Sequence, residues 1–577
     1  MTTLRQDADV ARGPLGGVPL AVAGGGTAGT LAARHLRALG CTTAPARELA
    51  TTAGQAARLA LGPGPADPAA DGTERDIDCV IDWAGPVDLP LASEADAQAA
   101  CGIAAVHGRR YGAPTPLGID YAGAVAGVLA VQGLLAARCA GLRGAPVRGV
   151  RTSVAGAALL AVGQYLAAAT ADDPDRTGRP DRTAPEDTAP KDTAPEGTPP
   201  ESAAADPPFT SRDGVRFEIE SLDAGPWLEF WTRLGVDRHP IGRGWPSFQL
   251  RFSSAQCPLP PELAATAAQS DYHEIVTAAG RAGVGIVPVR EDAPAPPPTP
   301  PWQIARAGGR PPRPAGPIAP RTGGVRLPLA GLVVVEMTRR LQGPLAGHLL
   351  ALLGAELVRI EPLGGDPLRG VPPMAGDDSA RFHALNRGKR AVEADPRAPS
   401  GRRAIRELVG DADVFLHNLA PGKAEAFGLG APELLAVQPG LVHAWASGWG
   451  ELLGPEPPVG TDYLVQARSG LAALVTPAGR PATPSLMTIT DIFGGLISAE
   501  GVLAALVARE VTGHGRRVDS SLWSAATELL RTGTPPAARR TAFAAATPDE
   551  IARDSRFRSA LHRDRCLLPC SPWEFDR

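Results

Sequence analysis

Apolar and polar positions alternate along this chain in a way that predicts strands leading into helices, with two polar, proline-rich interruptions. VPLAVAGGGTAGTLAARHLRALG at 18–40 reads as a short apolar strand, a glycine turn and a helix. In the stretch 462–522, a Thr/Ile/Met run leads to Asp491, and apolar residues then recur at helical spacing through Leu503, Leu506 and Val507, so Asp491 is placed at a helix start. Between them, Trp227, Phe230, Trp231 and Leu234 fit one face of a helix and read as core. The run 171–208 is dominated by Pro, Asp, Thr and Glu with a DTAP-like repeat, too polar to offset its ordering entropy, and is expected to be a disordered tether. A second Pro-rich linker covers 291–326.

The pattern repeats. LAARHLRALGC at 31–41 matches LAGHLLALLGA at 345–355, and QAACGIAAV at 98–106 matches QARSGLAAL at 466–474. Asp120 stands as far before Arg138 as Asp491 stands before Arg509. The first two matches differ in offset by about fifty residues, so the first copy has lost a block that the second retains. Two related copies are therefore expected, the N-terminal one degenerate, with Asp120 a relic or a helix cap.

Composition narrows the setting. The 577 residues allow two or more domains, and 44% apolar with 20% charged residues is ordinary for a globular protein. A net charge of -4 gives no electrostatic case for a nucleic-acid or membrane partner. The opening MTTLRQDADVARGPLGG lacks a signal-type apolar core and no uninterrupted apolar run suits a membrane span, so a cytoplasmic protein is expected. The seven cysteines are scattered without zinc spacing and read as reduced thiols, with no metal site. Lysine is nearly absent while Ala, Gly, Pro and Arg abound, which dilutes the meaning of Ala-rich or Pro-rich stretches.

Two places offer chemistry. Gly24, Gly26 and Gly29 satisfy a GxGxxG pattern, but no clear second strand delivers a ribose-binding acid, so a nucleotide-dependent oxidoreductase is the weakest reading. Asp491 at a helix start is either a cap or a reactive carboxylate steadied by free backbone N–H groups and the helix dipole.

The surroundings of Asp491 resemble the family III CoA transferases, the group of formyl-CoA transferase and carnitine CoA transferase. GTDYLVQARSG, the glycine pair after Asp491 and REVTGHGRRVDSSL carry the likeness, and LAGLVVVEMTRRLQGPLAGHLLALLGAELVRIEPLGGDPLRG, NRGKR at 386–390 and ADVFLHNLAPG at 412–422 precede them in the family's order, over most of 328–530. The resemblance implies an α/β fold, a Rossmann-like open parallel-sheet large domain with a smaller α+β domain. The expected layout is a degenerate large domain at 1–170, the tether at 171–208, a small domain at 209–290, the linker at 291–326 and an intact large domain at 327–577. Each half supplies what the other lacks, so a monomeric fused pseudo-dimer is preferred to a homodimer.

The resemblance further implies an acyl-CoA:carboxylate CoA transferase using coenzyme A as co-substrate, with no permanently bound cofactor. Its partners would be an acyl-CoA and a carboxylic acid. Asp491 is the implied nucleophile, Gln466 lines the implied site with Asp462, and Gly494 and Gly495 are either oxyanion donors or close-packing residues, with IGRGW at 241–245 a weaker oxyanion candidate. Leu341, Gln342, Arg369, Lys389, Arg390, Asn418, Leu419 and Ala420 are the implied CoA contacts. Pro362 and Ala426 depart from family positions that are often basic. Racemases of the same fold carry a histidine shortly before the segment matching DYLVQARSG, whereas none lies between His443 and His514 here, which disfavours α-proton transfer. A non-catalytic CoA-binding scaffold and an acyl-CoA isomerase or racemase stand as alternatives.

Overall fold

The computed structural model describes residues 13–44, 49–64, 76–171, 206–307, 327–454, 456–533 and 540–576. The segment read as a tether lies, for 172–205, outside the described residues.

The N-terminal unit contains β1 (Pro19–Ala23), α1 (Thr27–Ala38), β2 (Thr42–Thr43), β3 (Gln55–Leu61), β4 (Ile77–Asp82), α2 (Glu94–Ala100), α3 (Tyr121–Leu142), β5 (Gly149–Ser153) and α4 (Val154–Ala169). β1 runs parallel to β2 and β4 parallel to β5, but β3 lies antiparallel to both of its neighbours. The parallel Rossmann-like sheet expected for this copy is thus a mixed one. The glycine pattern also finds its reason in packing. Gly24 has a φ of +94°, and a Cβ there would lie 2.7 Å from the Ala56 carbonyl oxygen of the next strand, while one on Gly29 would lie 2.8 Å from the Ala57 side chain. These glycines let α1 and its turn approach β3 closely.

A small domain follows, with β6 (Phe209–Thr210), β7 (Arg216–Glu220), α5 (Ala224–Arg233), α6 (Arg238–Gln249) and β8 (Gly285–Pro288), the strands forming one antiparallel sheet. Trp227, Phe230 and Trp231 are buried as their spacing predicts. IGRGW is no loop: it lies within α6, and a Cβ on Gly244 would meet Leu263 and Pro260, so packing explains that glycine.

The stretch read as a Pro-rich linker carries a strand, β9 (Trp302–Arg306). Proline density hid it, because an edge strand pairs on only one side. The C-terminal unit continues with β10 (Val333–Met337), α7 (Gln342–Leu352), β11 (Glu356–Glu361), β12 (Arg390–Glu393), β13 (Val414–His417), β14 (Val442–Ser447), α8 (Asp462–Ser469), α9 (Ile489–Thr512), β15 (Arg516–Ser521) and α10 (Leu522–Leu529). Its seven-stranded sheet has the order β12-β11-β10-β13-β14-β15-β9, parallel except for β9. The last strand, β16 (Glu574–Asp576), leaves this unit and pairs antiparallel with β5 of the N-terminal sheet. The edge strands are thus exchanged: the segment after the small domain completes the C-terminal sheet, and the chain's tail completes the N-terminal one. PWQIAR at 301–306 and PWEFDR at 572–577 are similar in sequence.

One continuous core joins the two units. Its centre is the pair α3 and α9, two helices long and apolar enough to cross a membrane by length and composition but with 89% and 94% of their apolar windows buried inside the protein. Polar bonds stitch them: the Tyr121 hydroxyl donates to the Ile489 carbonyl at 2.9 Å, and Gln132 Nε2 to the Leu496 carbonyl at 2.7 Å. Both are buried, where each unmade bond would cost about 1–3 kcal/mol.

Candidate functional site

Asp491 occupies the first turn of α9, three residues after Thr488, whose φ of +57° is a left-handed conformation that a β-branched residue rarely adopts. Such a conformation persists only where the surroundings enforce it, and it clusters at functional sites. Here the enforcing group is Asp462, fully buried at the start of α8. Its Oδ2 accepts the backbone N–H groups of Thr490 (2.7 Å) and Asp491 (2.8 Å) and the Thr490 hydroxyl, and its Oδ1 accepts Gln466 Nε2. Gln466 is held in turn by Ser485, through Nε2 to the carbonyl (3.0 Å) and Oε1 from the N–H (2.8 Å). Asp462 therefore caps α9 in place of a local cap and orients Asp491, while Gln466 orients Asp462.

Burial pushes the Asp491 carboxyl well above the ordinary carboxylate range, the Asp462 carboxylate raises it further, and Arg340 opposes the rise. Asp462 is raised as well, by burial, but its donors hold its negative charge in place. A proton shared between the two belongs on Asp491, which has none of those donors.

Half-buried Asp491 opens into a cleft of about 680 Å³. Every parallel strand contributes its C-terminal end to the wall: Arg340 after β10, Pro362 after β11, Arg397 after β12, Asn418 after β13, Trp449 after β14 and Leu522 after β15. Leu222, which follows β7 of the small domain, closes another side. The Asn418 side chain binds the Arg339 N–H (3.0 Å) and carbonyl (2.8 Å), locking the first loop to the fourth.

Of the residues singled out in the sequence, Asp491, Gln342, Asn418, Leu419 and Ala420 line this cleft. Leu341 is buried beside it at the start of α7. The basic candidates do not meet there. Lys389 is buried, with its Nζ bonded to Glu336 (3.0 and 3.1 Å), the Pro344 carbonyl (2.8 Å) and Asn386 (3.0 Å), which leaves no donor for a phosphate. Arg369 is spent on Glu361 (2.8 Å) and Asp378 (2.7 Å), and Arg390 is exposed at the opposite, N-terminal end of its strand. Gly494 and Gly495 are interior residues of α9, their amides committed to carbonyls four residues back. Packing demands them: a Cβ on Gly495 would stand 2.8 Å from the Gln342 carbonyl oxygen, and one on Gly494 3.1 Å from Gln342 Nε2. Gly495→Ala is accordingly expected to force α7 and α9 apart and to lower stability by about 2 kcal/mol, measured by chemical denaturation.

Four cations on the cleft wall escaped sequence reading: Arg339, Arg340, Arg397 and Lys423. Arg340 immediately precedes the two residues that were singled out, and its φ of +66° makes it another non-glycine residue in the left-handed region. Its only sequence signal is an arginine pair directly after an apolar strand.

Asp120 stands differently. It precedes α3 as its N-cap rather than lying in the first turn, makes no cap bond with its side chain, and accepts the Thr27 hydroxyl. The amides of Ala122 and Gly123 are clamped by Glu94 (2.8 and 2.7 Å), and Gln98 donates to Glu94 (2.9 Å) and bonds Ile119 and Leu117. A carboxylate and a glutamine four residues on thus hold the start of α3 as Asp462 and Gln466 hold that of α9.

The ends of six parallel strands thus enclose a half-buried carboxylate seated in the first turn of a helix. Residues 329–554 match the model of CoA-transferase family III. The chain is 35% identical over 213 residues to the succinate–glutarate CoA-transferase of Agrobacterium fabrum, covering 35% of this chain and 53% of that protein. It is 33% identical over 238 residues to the succinyl-CoA–L-malate CoA-transferase alpha subunit of Chloroflexus aurantiacus, covering 41% and 56%. A CAIB/BAIF family protein from Brucella suis, known as a crystal structure, shares 35% identity over 35% of this chain and 55% of its own, with a TM-score of 0.34. The chain spans about half the length of the curated relatives it matches.

Proposed function

We propose that the protein moves CoA from an acyl-CoA thioester to a carboxylic acid, with Asp491 as the covalent carrier. The observation that carries this reading is the seat of Asp491: first turn of a buried helix, amide fixed by Asp462, side chain facing a cleft built from all the strand ends. Its carboxylate attacks the acyl carbon, the CoA thiolate leaves, and a mixed anhydride forms on Asp491. The thiolate then attacks the aspartyl carbonyl, giving an aspartyl-CoA thioester and releasing the first acid. An acceptor carboxylate attacks that thioester, expelling thiolate and forming a second anhydride. Thiolate attack on the acceptor's acyl carbon restores Asp491. Incubation with succinyl-CoA and a series of acids, followed by mass spectrometry, should reveal exchanged thioesters and a hydroxylamine-sensitive adduct on Asp491. Absence of both would overturn the reading.

The named relatives act on dicarboxylic acids, and Arg340 beside Asp491 supports the same class here. Because the nucleophile must be ionised while its carboxyl is raised, turnover should rise with pH through that raised value and fall in acid. Arg340→Gln removes the cation that opposes the rise, so the acid limb should move to higher pH and KM for the acid should increase about tenfold or more. Steady-state pH profiles check both.

The repeated segments, the two carboxylate–glutamine clamps and the exchanged edge strands together support a fused pseudo-dimer of two related units with one working site. In this reading the small domain of the first unit, through Leu222, shapes the site of the second. Light scattering should find mostly monomer near 59.4 kDa.

A further inference from the structure

The contact between the two units is not symmetric, and the asymmetry lies in buried charge. His35 on α1 of the N-terminal unit is fully buried, with Nδ1 2.9 and 3.0 Å from the two carboxylate oxygens of Glu500 on α9. Glu500, also fully buried, accepts the Trp302 indole N–H at 3.1 Å. Next to them Arg34 pairs with buried Glu528 of α10, which Arg531 approaches at 3.4 Å.

The repeat identifies the position related to each of these residues. One register sets Gln98 against Gln466, and Gly133, which packs under Trp573 and Val150, against Gly501, which packs under Trp302 and Val518. It sets Gln132 against Glu500, and the matched segments at 31–41 and 345–355 set Arg34 against His348 and His35 against Leu349. Ser153 and Ser521 each cap the helix after the last parallel strand, which sets Leu160 against Glu528. The edge tryptophans support this. Trp302 donates to Glu500, and Trp573, its equivalent in the PW segment of the tail, donates to the carbonyl of Leu129 at 2.8 Å. The two indoles therefore lie against the same turn of their helices, over Gly501 in one unit and Gly133 in the other. The residue before that glycine is a carboxylate, Glu500, in one unit and a neutral amide, Gln132, in the other. Gln132 and Leu349 are fully buried, and Leu160 and His348 border one small gap.

We propose that Arg34 and His35 against Glu500 and Glu528 form a pairing code that lets an N-terminal unit join only a C-terminal unit, and excludes pairs of like units. Two C-terminal units would set Glu500 against Leu349 and Glu528 against His348, burying Glu500 without its imidazole and Glu528 without the Arg34 guanidinium. Two N-terminal units would set His35 against the neutral Gln132 and Arg34 against Leu160, leaving the guanidinium without a carboxylate. Removing one member of a buried ionic contact is strongly destabilising, while replacing the whole contact by apolar residues often is not. The surface of α9 and α10 thus fits a partner that presents a guanidinium and an imidazole on consecutive residues of a helix. This inference rests on reading the chain as two related units.

Two measurements on the full chain test it. In thermal unfolding, His35→Leu and Glu500→Leu should each lower Tm by about 5 °C or more, and the double variant should regain at least half of the combined loss, since it removes the whole ionic contact rather than one partner of it. Additive losses, or singles as stable as the parent, would overturn the code. For partner choice, a specific protease site is inserted between residues 180 and 200, isotope-labelled and unlabelled nicked proteins are mixed, and native mass spectrometry counts the pairs. The parent should give only N-terminal fragments paired with C-terminal ones. A quadruple variant reproducing the related set (Arg34→His, His35→Leu, Glu500→Gln, Glu528→Leu) should also yield like pairs. Like pairs in the parent, or none in the quadruple variant, would sink the proposal. Fragments that do not stay together would instead sink the two-unit reading, and neither measurement depends on transferase activity.

Discussion

Asp491→Asn is expected to lower CoA transfer by at least about a thousandfold, equivalent to roughly 4 kcal/mol of lost transition-state stabilisation, while CoA still binds. Asparagine keeps the size and leaves the main-chain N–H on Asp462 untouched, so α9 should start as before; what disappears is the oxygen anion that attacks the thioester. The comparison is Asp120→Asn. Asp120 lies before its helix, makes no side-chain cap bond and accepts Thr27, so its loss should cost at most about 1 kcal/mol of stability with turnover little changed. Initial rates and CoA titration by calorimetry separate the two. A transfer rate abolished by Asp120→Asn but not by Asp491→Asn would place the chemistry in the wrong unit, and indifference to both would remove the covalent-carrier mechanism.

Asp462→Ala should damage both fold and reaction. It leaves the Thr490 and Asp491 amides and the Thr490 hydroxyl without their acceptor in a buried setting, a loss of about 3 kcal/mol or more of stability. Transfer should fall by about a hundredfold as the first turn of α9 loses its fixed geometry. Its acid limb should nevertheless move to lower pH, because the carboxylate that raises Asp491 is gone. Arg340→Gln shifts the limb the opposite way, so the pair of variants tests the electrostatics by sign rather than by size. Glu94→Ala orphans the equivalent amides of Ala122 and Gly123 and should lower stability comparably, yet turnover per folded molecule should hold. Denaturant titrations and pH–rate profiles measure these effects, and an unshifted limb in Asp462→Ala would mean that the two carboxyls do not interact.

Several site elements were legible before any fold was known, because they are local. Helical spacing after Asp491 fixed its place in a first turn, and the loops at Gln342 and Asn418–Ala420 follow apolar strands whose ends form the cleft. The basic residues were not legible. Lys389 and Arg369 look in sequence like solvent-facing phosphate ligands, but Glu336 and Glu361 come to meet them from other strands and consume their donors. Gly494 and Gly495 invited an oxyanion role because a sequence does not record what lies against a glycine, and Gln342 of another helix lies there.

Periodicity and self-similarity along the chain thus determined the strand–helix alternation, the repeat and the aspartate at the head of a long buried helix, since these depend on neighbours within a few turns. Only the tertiary structure decided which cations remain available to a ligand, that β3 reverses direction, and that β9 and β16 each complete a sheet in the other part of the molecule. It also decided that His35 and Glu500 face each other. The physical reason is the same throughout: the energy of a buried charge, a close backbone approach or a strand edge is set by groups that other turns, strands and helices bring to it, and no local pattern carries that information.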